Sequence, residues 1–302
     1  MSRRAWTIAL AVIALPCALA YYEILNFEQR HWWADGPPPS VRANQVAGAG
    51  GGSWRDVSVT ARDGAVLRAW LFRPDHPNGK VVILMHEFMR TRLQMLAQIP
   101  WLMRAGYTCL APDERGHGSS GGTVVTFGIE ERYDVIAWTD WLTRNDPDAK
   151  AIYGLGNSLG AAALIQGAVA GAPIKAIVAD STEIDFSMPY AHLAELLHIP
   201  QVVARGVGWV IIEPALWNAR ARYGLNLRES SMIESMREIR VPVLLIQGEA
   251  DPFIPPLYGG RLLAANPRWS KLWVVPGAHH AKAWQVAGSE YQSRVLEWFG
   301  SR

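Results

Sequence analysis

The chain has 302 residues, half of them hydrophobic, and its 29 lysines and arginines nearly balance 27 aspartates and glutamates. A length of this order buries a large core, either as one α/β domain or as two smaller ones. The small net charge and scattered basic residues argue against nucleic acid as a partner, which needs a concentrated basic face, and the hydrophobic fraction argues against intrinsic disorder. The two cysteines, Cys17 and Cys109, make neither a disulfide framework nor a zinc-ligand spacing.

At the N-terminus, Arg3 and Arg4 precede an apolar run from Ala5 to about Tyr22, close to the shortest length that spans a bilayer. Basic residues before the run and Glu23 and Glu28 after it predict an N-terminus in the cytoplasm and the rest of the chain outside, on the periplasmic side of an inner membrane. Residues 1–33 therefore read as a membrane anchor, with Tyr21, Tyr22, Trp32 and Trp33 suited to the interface. A signal segment cleaved near Ala18-Leu19-Ala20 is the alternative, and it would release a secreted protein. Residues 34–53 combine a proline run with a glycine run and read as an extended linker.

The folded domain is expected over 54–302. It opens with two half-buried strands, WRDVSVT and AVLRAWLF, joined through the turn signal Asp63-Gly64. KVVILMH is a continuous apolar, partly β-branched run of the kind buried on both faces of a sheet. Strands and helices then alternate: a helix over about 92–104, the strand YTCLAP, the helix GIEERYDVIAWTDWLTR, the strand AIYGLG, the helix SLGAAALIQGAVAG and the strand IKAIVAD. After a gap come VPVLLIQG, a helix near PPLYGGRLLAA, the strand KLWVVPG and a C-terminal helix ending at EWFG. This alternation predicts an α/β fold, a mainly parallel sheet with helices on both faces. The gap, about 185–238, is long for a connection and carries helical patterns with Trp209 and Trp217; it reads as a lid insertion lining a substrate pocket.

Parallel sheets place ligands beyond the carboxyl ends of their strands. The residues found there are His86-Glu87-Phe88, Asp113, Ser158, Asp180, Glu249 to Asp251, and His279-His280. Gly156-Asn157-Ser158-Leu159-Gly160 sets G-x-S-x-G between a strand and a helix, a turn so sharp that side chains at 156 and 160 would meet backbone. A serine there serves as a helix N-cap or as an exposed nucleophile. A hydroxyl nucleophile needs a base and the base an orienting acid, and Asp251 and the two histidines follow in that order. Asp180 is the reserve acid, and an Asx turn before Pro252 is the other use of Asp251.

These segments resemble the α/β-hydrolase fold serine hydrolases. The nearest branch is bacterial, often membrane-anchored, and includes enzymes like dienelactone hydrolases, serine aminopeptidases and acylglycerol lipases. The resemblance spans about 54–300 and rests on LMHEFMRTRLQM, AGYTCLAPDERGHGSSGG with TFGIEERYDV, GLGNSLGAAAL, LLIQGEADPFIPP and VPGAHHAKAW. It implies a catalytic set of Ser158, Asp251 and His280, with His279 at the variable position, and an oxyanion hole from the amides of Phe88 and Leu159. It implies no metal and no cofactor. The expected substrate is a small-molecule ester or amide, with a peptidase or a non-catalytic binding protein as alternatives. Glu183, Asp185, Glu195 and Glu213 are candidate amine-recognising acids for the peptidase. The usual glycine of the family's H-G-x pattern is here Glu87, whose carboxylate should turn away from the oxyanion hole or pair with Arg90 or Arg92. His86, Asp113, Arg115 and His117 are expected to brace the loops beside the site.

Overall fold

A computed structural model describes residues 40–182 and 216–302 together with Pro200 and Val202. Its centre is an eight-stranded sheet: β1 (Gly52–Thr60), β2 (Val66–Pro74), β3 (Lys80–Met85), β4 (Thr108–Pro112), β5 (Ala151–Asn157), β6 (Ile174–Asp180), β7 (Val243–Gly248) and β8 (Ser270–Val275). The strands lie in the order β1-β2-β4-β3-β5-β6-β7-β8. β1 and β2 form the expected hairpin, β2 meets β4 antiparallel, and every later pairing is parallel.

The period-two alternation of a strand explains why these runs are apolar throughout. Val81, Ile83 and Met85 of β3 point into one core cluster, and Val82 and Leu84 into the other. The first cluster takes Val135 and Trp138 from the helix Glu131–Asn145 and Ala161 and Leu164 from the helix Leu159–Val169. The second takes Leu102 from Ile99–Arg104 and Val295 and Phe299 from Ser289–Gly300.

Two expectations are corrected. The segment 34–53 is not extended throughout, because Ser40–Gly50 is a helix. Ala43 and Ala47, four residues apart, form its buried face, and Arg104 donates to the carbonyl of Ala49 at 2.9 Å. A Cβ at Gly50 would sit 2.5 Å from the Met103 sulfur, so this glycine permits close packing rather than a loose linker. The far end of the expected lid also differs. Met232 and Met236, on the helix Met232–Glu238, are buried in the first core cluster, so this part of 185–238 belongs to the domain body. Residues 216–223 are helical, and Ala219 packs with Ile129 and Leu227.

The anchor or signal at 1–33 and most of the remaining lid, with Glu183, Asp185, Glu195, Trp209 and Glu213, lie outside the described residues. Among the described residues no helix is long and apolar enough to cross a membrane.

The register decides what meets at the carboxyl edge. Met85 pairs with Gly156, Asn157 with Asp180, Asp180 with Ile246, and Gly248 with Val275. The loops after β3, β5, β6, β7 and β8 therefore leave the sheet side by side.

Candidate active site

Ser158 occupies the turn between β5 and the helix Leu159–Val169, with φ 49° and ψ −111°. Left-handed backbone is unfavourable for a residue with a Cβ, and its persistence here means the surroundings enforce it. The enforcement is visible: the Ser158 amide donates to the Asp180 carbonyl at 2.8 Å, and the Gly160 amide to the His86 carbonyl at 3.2 Å. A Cβ at Gly156 would lie 2.5 Å from the Ala161 nitrogen, and one at Gly160 would lie 2.6 Å from the His86 oxygen. The hydroxyl of Ser158 makes no N-cap hydrogen bond; it lines a cavity of about 660 Å3.

Asp251 serves two purposes with separate oxygens. Its Oδ1 accepts the amides of Phe253 and Ile254, each at 2.9 Å, so the Asx turn is real. Its Oδ2 accepts Nδ1–H of His280 at 2.8 Å and the Gln247 amide group at 3.2 Å. The acid bonded to the ring is thus Asp251 and not Asp180. The His280 ring also meets Phe253 edge-on at 5.5 Å, while His279 is exposed at the cavity rim. Burial alone would lower the His280 pKa, but the Asp251 hydrogen bond and the charges of Asp251, Glu87 and Asp180 outweigh it and raise the value.

The loop after β3 is held by two histidines, as expected for His86 and His117. His86 donates Nδ1–H to the Glu87 carbonyl at 2.8 Å and accepts the Glu114 amide on Nε2 at 3.0 Å. His117 donates Nδ1–H to the Arg115 carbonyl and accepts the Met89 amide on Nε2 at 3.1 Å. Each accepting nitrogen requires a neutral ring. Burial lowers the pKa of His86 and takes His117 down to about 3. Below the loop, Asp113 accepts the Arg92 amide at 2.8 Å, its guanidinium at 2.7 Å and the Ser119 amide at 2.7 Å. Arg115 grips Asp134 at 2.7 and 2.6 Å.

Arg92 is therefore committed to Asp113, and of the two arginines expected near Glu87 it is Arg90 that meets it, at 3.4 Å. Glu87 does not turn out to solvent. Its other oxygen lies 3.6 Å from Nε2 of His280.

Sequence reasoning missed Ser181 as a brace. Its hydroxyl donates to Asp180 Oδ1 at 3.1 Å and accepts the Ala281 amide at 3.0 Å, so it ties the end of β6 to the residue after His280. Ser181 and Ala281 both have positive φ, 54° and 51°. The only signal in the sequence was its place directly after Asp180.

A model of the X-Pro dipeptidyl-peptidase (S15) family matches residues 63–209. An uncharacterised Mycobacterium tuberculosis protein is 29% identical over 276 residues, 89% of this chain and 86% of that one. Among solved structures, a Pyrococcus furiosus esterase superposes with a TM-score of 0.67 at 26% identity, covering 85% of this chain and 94% of that one. A Penicillium α/β hydrolase superposes at 0.60 with 21% identity over 81% and 97% of the two chains, which speaks for the fold alone. With the sheet order and the elbow at Ser158, these likenesses make the chain a hydrolase of the α/β-hydrolase fold.

Proposed function

We propose that the protein cleaves carboxylic esters of small molecules through an acyl-enzyme. Ser158 attacks the carbonyl, and His280 accepts its proton on Nε2 and later delivers it to the leaving group. Asp251 fixes the tautomer and orientation of the ring through Nδ1, and the amides of Phe88 and Leu159 receive the oxyanion. The observation that carries this reading is the 2.8 Å hydrogen bond from His280 to Asp251 beside a cavity that also holds the strained Ser158. The cavity, about 660 Å3, is of the size that takes a small-molecule ligand. The match to a peptidase family favours a second reading in which the same residues cleave a peptide bond. Residues 1–33 tether the protein to the membrane with the hydrolase domain outside the cytoplasm, or are removed on secretion.

A fluorophosphonate probe should label the wild-type protein at Ser158, seen as an adduct on that peptide by mass spectrometry. Ser158→Ala should abolish both labelling and turnover of a short p-nitrophenyl ester with an unchanged melting curve. A folded wild type that neither labels nor turns over ester would overturn the enzyme reading. Preference for an X-Pro p-nitroanilide over every ester would move the activity to peptides. Full-length protein released from membranes by high salt would contradict the anchor.

A further inference from the structure

Glu87 stands where the family pattern has glycine, and nothing assigned above to Ser158, Asp251 or His280 uses its carboxylate. Its backbone is fastened on both sides. The amide donates to Gln94 Oε1 at 2.8 Å, and the carbonyl accepts Nδ1–H of His86 at 2.8 Å and the Arg90 amide at 3.2 Å. The carboxylate thus enters the cavity from a fixed point, and its side chain is only 15% exposed.

The ring of His280 consequently has a carboxylate at each nitrogen, Asp251 at 2.8 Å on Nδ1 and Glu87 at 3.6 Å on Nε2. The second contact is longer than a hydrogen bond and acts through charge. Among the described residues, the ionisable groups facing the ring are these two, Asp180 at the end of β6 with Tyr291 behind it, and His279 and Lys282 on its own loop. Arg90, which lines the same cavity, meets the other oxygen of Glu87 as a counter-charge. It is 44% exposed and 3.4 Å away, so solvent screens much of its effect.

We propose that Glu87 is a positioning residue that favours a proton on Nε2 of His280 and so moves upward the pH range in which His280 can take the proton of Ser158. The inference rests on the catalytic reading above and deepens it. An imidazolium flanked by two carboxylates keeps its proton to higher pH, and a protonated Nε2 cannot act as base. The same carboxylate steadies the imidazolium once the Ser158 proton has moved. It therefore sets where activity begins on the acid side without taking part in proton transfer.

Glu87→Gln keeps the shape and removes the charge. The His280 titration, followed by imidazole NMR on the intact protein, should shift to lower pH by about one unit, the scale of a single nearby charge. The acid limb of kcat/KM for a p-nitrophenyl ester should shift with it, since that limb reports the free enzyme. At a pH one unit below the wild-type limb the variant should then be several-fold faster relative to its own plateau. Glu87→Asp, which keeps the charge on a shorter stem, should shift both less. If Glu87→Gln fails to give a cooperative melt, Glu87→Gly replaces it, with the same shift expected. An unmoved His280 titration in a folded charge-free variant overturns the proposal. A titration that moves in a protein that neither labels nor hydrolyses esters overturns the catalytic reading instead and leaves the Glu87–His280 coupling standing.

Discussion

His279 and His280 differ by one position, but the backbone sorts them. Ala281 at φ 51° turns the chain immediately after His280, and Ser181 holds the Ala281 amide in that turn, which aims the His280 ring at Asp251. His279 is left exposed at the cavity rim. The two alanine variants should therefore separate. His280→Ala removes the proposed proton acceptor and should lower kcat/KM for a p-nitrophenyl ester by at least about 10^3-fold, as loss of a member of such a unit does. His279→Ala should lower it by less than about tenfold, and the opposite order would reassign the base. Ser158 follows the same logic, since its strained backbone is useful only with the hydroxyl turned into the cavity.

The loop after β3 is held in place by buried side chains that do not line the cavity. Arg92 is buried against Trp70, its guanidinium 5.1 Å from the ring, and paired with the fully buried Asp113. Burial would raise the Asp113 pKa, but the Arg92 hydrogen bonds and charge outweigh it and the net value is lowered. A lowered carboxyl stabilises the fold above its unfolded pKa, and that contribution disappears as pH falls through the folded value. Asp113→Ala strands a buried guanidinium and should lower the unfolding free energy by about 3–5 kcal/mol in urea titrations at neutral pH. The difference from wild type should shrink on the acid side, below the ordinary aspartate value of 3.8. A loss under about 1 kcal/mol would mean that the ion pair does not fasten the loop. Much of this edge was legible because its signals are local: apolar runs, a turn at Asp63-Gly64, and glycines at 156 and 160 where a Cβ meets backbone. The direction of Glu87 was not, since it depends on the loops after β3 and β8 meeting across β5, β6 and β7. The helix Ser40–Gly50 was hidden for a related reason. An alanine- and glycine-rich stretch carries little helical periodicity, and its order comes from packing on Met103. The boundary at 238 failed because Met232 and Met236 look alike on a lid and in a core.

At the scale of the molecule, buried acids on neighbouring positions pull stability in opposite directions with pH. Glu114 follows Asp113 directly, and both of its carboxyl oxygens are buried without a hydrogen-bond partner among the described residues. Burial, with Glu131 and Asp134 nearby, raises its pKa well above the ordinary 4.5. A raised acid keeps its proton in the fold over a pH range in which the unfolded chain has already ionised it. Folding must then take up a proton, and stability falls as pH climbs from the unfolded pKa toward the folded one. Glu114→Gln removes the proton uptake and keeps the volume, so it should raise the melting temperature by at least about 2 °C at neutral pH, a shift of the order that 1 kcal/mol gives in a domain of this size. The gain should vanish near pH 4, where wild-type Glu114 is protonated in both states. A gain that stays constant from pH 4 to 8 would show that the carboxyl does not titrate differently on folding. His86 reaches only the backbone of Glu114, accepting its amide on Nε2, while its Nδ1–H holds the Glu87 carbonyl, so the Glu114 carboxyl is not bonded into that link. Relief of the buried acid should therefore raise stability and leave the acid limb of kcat/KM for a p-nitrophenyl ester unmoved.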